Sequence, residues 1–245
     1  MFAPPINLPY LKAYVEQQDK DVSVKCLDLE KEFFESDIIR HDATIYWRNA
    51  LTCESLRNIS PKASKILEKF VDMILAEKPD AVGFSVTNWN DQYTDFVSRR
   101  LRSLMPQLYI MYGGRQFCLK KGRRYTISQR HAGEFPHIDC VIKNEGEATL
   151  AEIIASLKKG IKPSFCAGTS LNVDSKIVDG TFVSGKIIDC GDRQHIMDLD
   201  SIPFPDFSDY NKEAYLTNHI KIIFSRGCSG VCEYCCDNDE MGEGV

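Results

Sequence analysis

The sequence predicts an α/β fold: a doubly wound parallel sheet, then a β-rich connector, then the opening of a second domain. Three observations predict it. Apolar runs of strand length alternate with helix-period segments over the first two-thirds of the chain. Turn residues and β-formers then crowd the stretch from Phe165 to Cys190. Finally, one short strand-like run leads straight into four cysteines between Cys228 and Cys236. Alternation of helix and strand implies parallel strands covered by helices on both faces.

The elements follow in order. Asn7 can cap a helix whose apolar face is Leu8, Leu11 and Val15. Val22, Val24 and Cys26 alternate as a strand does. Ser60-Pro61 opens a helix carrying Ile66, Phe70, Val71 and Ile74, with Pro79 past its end. Residues 81–86 form an apolar run of strand length. Phe96, Val97, Leu101 and Leu104 mark the next helix, stopped by Pro106. Residues 108–112 are the following strand, ending at Gly113-Gly114, and residues 139–142 are another. A helix with Leu150, Ile153, Ile154 and Leu157 inside stops at Gly160. Asp179-Gly180 sits between two β-rich runs and predicts a hairpin. Residues 200–207 are a Pro- and aromatic-containing linker, and Lys221 to Phe224 reads as a last strand. Ligands of parallel sheets bind at the C-terminal strand ends, so the loops after Val86, Tyr112 and Ile142 are the places to look.

Composition narrows the function. The 245 residues are 43% hydrophobic and 27% charged, enough apolar content to bury a core. A net charge of -5 argues against a nucleic-acid partner. One basic run spans Arg115 to Arg130; it reads as a solvated loop or as an electropositive lip for a phosphate-bearing ligand. No stretch approaches the roughly 18 apolar residues of a membrane helix, and Met1 to Tyr10 does not resemble a signal peptide. A cytoplasmic location is the expectation, so the 10 cysteines are not a disulfide framework. Cys26, Cys53, Cys118, Cys140, Cys166 and Cys190 are scattered singly, as small buried hydrophobes often are. The five histidines stand in no ligand spacing.

The crowded cysteines need a different explanation. Cys228, Cys232 and Cys235 have the spacing C-x3-C-x2-C, preceded by Ser225-Arg226-Gly227. Three thiolates on one loop can hold three irons of a four-iron, four-sulfur (4Fe-4S) cluster, leaving the fourth iron open to a reactant. Structural zinc is the alternative, but it wants four ligands; Cys236 or His219 would have to supply the last. The spacing, the strand-like lead-in and the aromatic Tyr234 before the third cysteine resemble the signature of the radical S-adenosyl-L-methionine (SAM) superfamily. The resemblance implies that Cys228, Cys232 and Cys235 are the metal-binding residues and that Tyr234 lies beside the SAM adenine. It also implies reductive SAM cleavage to a 5′-deoxyadenosyl radical. Cys236 falls outside the pattern.

The preceding segment resembles the B12-binding domains found in front of some radical SAM domains. Residues 139–147 resemble that group's D-x-V-x-x-G-E-G-E string, with Asn144 in place of the first glycine. Residues 199–206 resemble its linker, residues 83–87 its strand-end serine segment, and Gly113-Gly114 its glycine pair. The resemblance implies a Rossmann-like domain of the B12-binding type whose Ser85, Thr87, Gly113, Gly114, Glu145, Gly146 and Glu147 face the cobalamin. Each piece also has a plain reading: a strand-end hydroxyl, a turn, and a helix N-terminus favoured by the dipole. The D-x-H-x-x-G motif that supplies a histidine to cobalt is absent, so cobalamin would have no histidine below it.

The predicted organisation is a cobalamin-binding-like domain over residues 1–160, a connector over 161–210, and the truncated start of a radical SAM β/α barrel over 211–245. A full barrel of that kind needs roughly 250 residues. This chain alone is therefore expected to cleave little SAM, with a mobile segment after about Tyr210. The implied cofactors are the 4Fe-4S cluster, SAM and cobalamin; the implied reaction is radical chemistry such as C-methylation. A small-molecule or peptide substrate and a ferredoxin- or flavodoxin-type reductant are the expected partners. Two alternatives stand beside this: a radical SAM enzyme whose B12-like domain is empty, and a non-enzymatic cobalamin- or metal-binding module.

Overall fold

The computed structural model describes residues 3–35, 61–87, 90–114, 117, 135–178, 181–183, 185–217 and 219–227. Helix α1 spans Asn7–Gln18, α2 Leu29–Glu35, α3 Pro61–Ala76, α4 Asp91–Leu104 and α5 Glu147–Lys158. The strands are β1 Ala81–Ser85, β2 Tyr109–Gly113, β3 Cys140–Ile142, β4 Thr169–Val173, β5 Lys176–Val178, β6 Thr181–Val183 and β7 Lys186–Asp189. The main sheet has the order β1-β2-β3-β4-β7.

Strands β1, β2 and β3 are parallel, as the alternating pattern predicts. The sheet departs from the prediction at β4 and β7, which are both antiparallel to their neighbours. Helix α5 lies between β3 and β4, yet the chain re-enters the sheet running the opposite way; β4 and β7 are linked through the β5–β6 hairpin with no helix between them, and strands joined without a crossover helix pair antiparallel. The sheet is thus mixed, and two strands from the segment after Gly160 extend it. Strands β5 and β6 form the expected hairpin, pairing Val178 with Thr181. Its Asp179-Gly180 turn lies outside the described residues.

Alternation along β2 sorts the core into two layers. Ile110 and Tyr112 meet Leu67, Phe70 and Val71 of α3 and Val97 and Leu101 of α4. Tyr109 and Met111 face the opposite side, with Cys140, Ile142 and Leu171, against Ile153 of α5. Helix α1 then packs on α5. Helices therefore cover both faces, and the two layers bury β2 almost completely, from Tyr109 to Tyr112. Helix α5 ends in a Schellman arrangement: the Ile161 N–H donates to Ser156 and the Gly160 N–H to Leu157, with Gly160 at φ +73°.

Two expected strands do not form ladders. The stretch from Val22 to Cys26 is extended, but its amides find partners outside a ladder: Val22 N–H donates to the Asp19 carbonyl, Val24 N–H to Glu16 and Cys26 N–H to Asp209. The stretch from Lys221 to Phe224 is likewise unpaired among the described residues. Its Ile223 amide and carbonyl both bond the Tyr10 hydroxyl, at 3.1 and 3.4 Å. Ile222 and Phe224 are exposed. Among the described residues around Tyr210, three aromatic side chains are buried. Tyr215 is buried and donates to Asp28, and Phe207 and Tyr210 pack with Cys26. No helix among the described residues is long and apolar enough to cross a membrane.

Candidate functional site

The C-terminal ends of β1, β2 and β3 share one edge of the sheet. There Ser85 stands opposite Gly113, and the Val86 N–H donates to the Gly113 carbonyl at 2.7 Å. The two glycines differ. Gly114 has φ +100°, and a Cβ there would lie 2.8 Å from the Val86 carbonyl oxygen and 3.1 Å from Ser85 Oγ. A Cβ on Gly113 would make ordinary contacts with Ile142, its Cβ at 3.6 Å and its carbonyl oxygen at 3.8 Å. Gly114 is required by the backbone; Gly113 leaves the edge shallow.

Two asparagines organise the loop beyond β1. Asn90 donates to the Ser85 carbonyl at 3.0 Å and accepts from the Thr87 N–H at 2.8 Å. Asn7 was expected to cap α1, but it is the first helical residue, after Ile6 at the N-cap position. Its side-chain amide instead donates to Ser85 Oγ at 2.6 Å. That bond fixes the N-terminus of α1 at the sheet edge. The N-termini of α4 and α5 reach the same edge because each helix follows a parallel strand.

After β3 the chain turns through Asn144 at φ +54°, a conformation that asparagine tolerates better than most residues. This accounts for Asn144 at a position where the resembling string has glycine. Its Oδ1 is buried and lacks a hydrogen-bond partner. Gly146, at the N-cap position of α5, lets α1 approach; a Cβ there would lie 3.2 Å from Leu11 Cδ2. Asp139, the first residue of the string, serves the other end of β3. Its carboxylate accepts from the Ile110 N–H at 2.8 Å and from Arg102 at 2.5 Å.

Glu145 and Glu147 converge on Arg226. The guanidinium donates to Glu145 Oε1 at 2.8 Å and to Glu147 Oε1 at 2.5 Å. The other Glu145 oxygen accepts from the Ile196 N–H at 2.7 Å. Burial would lower the Arg226 pKa, but Glu147 and Glu145 outweigh it and raise the value. Cys228, Cys232, Cys235, Tyr234 and Cys236 lie outside the described residues, as does most of the basic run from Arg115 to Arg130. Gly227 adopts φ +82° directly before them. Arg226 and Gly227 are thus held at the end of the sheet that carries Ser85, Thr87 and the glycine pair. The Ser225-Arg226-Gly227 string by itself gives Arg226 no role; only the fold joins it to residues about 80 positions earlier.

A second set of contacts backs this placement. Lys12 is buried and bonds Asp209 at 2.8 Å, with Asp206 at 3.3 Å. Elsewhere, His137 is fully buried and stays neutral, its pKa lowered to about 2 by burial and by Arg99 and Arg102. It bonds Ser98 within the core. Among the described residues no group of histidine, cysteine or acidic side chains is placed to hold a metal.

The residues at the edge suit cobalamin in part. Small side chains leave the β1–β2 end shallow, three helix N-termini face it, and the Asn144 acceptor lacks a partner. Corrin amides are donors that match such an acceptor. Ser85 Oγ, by contrast, is already engaged by Asn7.

No protein-family profile matches the chain. The chain is 24% identical over 246 aligned residues to an uncharacterized methyltransferase of Pyrococcus horikoshii, covering 98% of this chain and 42% of that protein. It is 28% identical over 137 residues to the anaerobic magnesium-protoporphyrin IX monomethyl ester cyclase of Synechocystis, covering 55% of this chain and 24% of that one. The chain therefore spans less than half the length of these curated relatives. Among solved structures it resembles the radical SAM methyltransferase TsrM from Kitasatospora setae, solved with cobalamin and a 4Fe-4S cluster bound. That likeness has a TM-score of 0.53 at 16% identity and covers 100% of this chain and 40% of TsrM. At that identity it is a likeness of fold, and it extends over the whole chain.

Proposed function

We propose that this chain is the cobalamin-domain and cluster-loop portion of a radical SAM enzyme, with methyl transfer to carbon as its chemistry. The observation that carries the reading is the double ion pair of Arg226 with Glu145 and Glu147. It sets the residues before Cys228 against the sheet edge where a cobalamin would lie. Cooperation between the two cofactors requires that proximity. The relatives' names support the class: one is a methyltransferase, and TsrM holds both cofactors.

Each residue has a task in this reading. Cys228, Cys232 and Cys235 hold three irons, and Tyr234 lies beside the adenine of SAM. When bound, the cluster supplies the electron that cleaves SAM, and cobalamin supplies the methyl group. Ser85, Thr87, Gly113 and Gly114 border the cobalamin tail. The converging N-termini of α1, α4 and α5 favour its phosphate. Glu145, Gly146 and Glu147 act from behind, keeping Arg226 in place. A ferredoxin- or flavodoxin-type protein delivers the electron.

A second reading has its own support. The 2.6 Å bond from Asn7 to Ser85 Oγ closes part of the edge, as an empty B12-like domain would require. Anaerobic reconstitution tests both. About four irons per chain and oxygen-labile brown colour are expected; one zinc in a colourless protein would refute the cluster. Added cob(II)alamin should bind without the nitrogen hyperfine splitting of an axial histidine. Cluster formation without cobalamin binding would select the empty-domain reading.

A further inference from the structure

Arg226 is the second residue before Cys228, and only 7% of it is exposed. Its two terminal nitrogens go to two different carboxylates, Glu145 at 2.8 Å and Glu147 at 2.5 Å. A two-pronged hold restricts both the position and the rotation of the guanidinium, which a single pair does not. The holders are themselves fixed. Glu147 begins α5, and Glu145 also accepts from the Ile196 N–H, so neither can follow Arg226 if it moves. Gly227, at φ +82°, is the single residue in sequence between this clamp and Cys228. One cation against two anions also leaves one net negative charge at a point two residues before Cys228 in sequence.

We propose that Arg226 is a positioning residue for the iron–sulfur loop: it fixes where the loop leaves the sheet edge, and its charge sets the reduction potential of the cluster bound there. The proposal rests on the radical SAM reading above. Cluster potentials respond to net charge and hydrogen bonding nearby. Removing the cation leaves two carboxylates unopposed and makes adding an electron harder. Neutralising one carboxylate does the reverse.

The test is a redox titration of the reconstituted chain, followed by the electron paramagnetic resonance of the reduced cluster. Wild type, Arg226→Gln, Arg226→Lys and Glu147→Gln are compared. All four should keep the wild-type iron content, because the cysteines are untouched. Arg226→Gln should shift the potential to more negative values and Glu147→Gln to more positive ones. Arg226→Lys keeps the charge but loses the fork; it should hold the potential and change the resonance line shape. Loosened packing alone would move Arg226→Gln and Glu147→Gln in the same direction. That result, or no shift in either, would overturn the proposal. If Arg226→Gln does not fold, an unchanged potential in Glu147→Gln overturns it alone. A wild-type chain that takes up no iron would sink the radical SAM reading itself, and the proposal with it. A cluster that forms but ignores these charges would sink only the proposal.

Discussion

Replacing Gly114 by alanine should cost much more than the same change at Gly113, although the two are neighbours in one glycine pair. At Gly114 the backbone has φ +100°, outside the range an L-residue adopts without strain. Left-handed backbone costs a non-glycine residue roughly 1–2 kcal/mol. The new Cβ would also stand 2.8 Å from the Val86 carbonyl oxygen and 3.0 Å from the Val86 nitrogen. Both are backbone atoms, and Val86 is held by its bond to the Gly113 carbonyl, so neither can swing aside. Overpacking of this kind typically costs about 1–3 kcal/mol. Reduced freedom in the unfolded chain returns roughly 0.4–1 kcal/mol. The expected net loss is about 1–4.5 kcal/mol, a large part of a total stability on the order of 5–15 kcal/mol.

Gly113→Ala provides the contrast. Its Cβ would make an ordinary contact with Ile142 at 3.6 Å, and the backbone there is not left-handed. Alanine also loses less backbone entropy than glycine inside a strand, so the change should fall within roughly 0.5 kcal/mol of neutral. Urea denaturation of both variants, with slopes compared, measures the difference. Equal losses in the two, or a loss below about 1 kcal/mol for Gly114→Ala, would refute the reasoning.

Three further outcomes are expected. Cys228→Ala, Cys232→Ala and Cys235→Ala should each abolish cluster formation on anaerobic reconstitution, while Cys236→Ala should keep it; iron and sulfide analysis decides. Lys12→Met should cost about 1–3 kcal/mol by denaturant titration, because it strips a buried partner from Asp209 while Lys25 remains at 2.9 Å. Asp209 should also make the fold acid-sensitive. Burial acts to raise its pKa, but Lys12, the Cys26 amide and Lys25 outweigh it and lower the value. A depressed carboxylate contributes stability fully above its unfolded pKa of about 3.9 and loses it as pH falls through the lower folded value. Denaturation midpoints should therefore fall below pH about 4 in the wild type, and less steeply in Asp209→Asn.

Much of the first domain was legible because its helices and strands carry strong periods. The helix from Pro61 was readable from Ser60-Pro61, four apolar positions on one face, and Pro79 beyond. The antiparallel β4 and β7 were not readable as members of the same sheet, since a short strand does not announce its partner. Val22 to Cys26 and Lys221 to Phe224 show the limit of alternation as a signal. Both have strand-like residues, yet in each an amide goes to a side chain across the molecule, Cys26 to Asp209 and Ile223 to Tyr10. The cysteine spacing stood out because metal chemistry demands close ligands. The partners of Asn7 and Arg226 were not legible, because a polar side chain joining distant segments leaves no local trace.

Those two residues explain why one edge collects the candidate chemistry. A parallel strand followed by its helix puts a helix N-terminus at the C-terminal strand end, as β1 does for α4 and β3 for α5. Helix α1 has no such strand before it in the described sheet, yet the Asn7 bond to Ser85 brings its N-terminus to the same place. Three partial positive charges then face one edge. The α5 terminus already spends some of this on Glu147, which in turn holds Arg226. Helix α1 also carries Tyr10 and Lys12, which take hold of Ile223 and of Asp206 and Asp209. One helix therefore helps build the edge and fastens the segment that precedes Cys228. A displacement of α1 would disturb both ends of the proposed site at once, so lesions at Asn7 and at Lys12 should be felt together rather than independently.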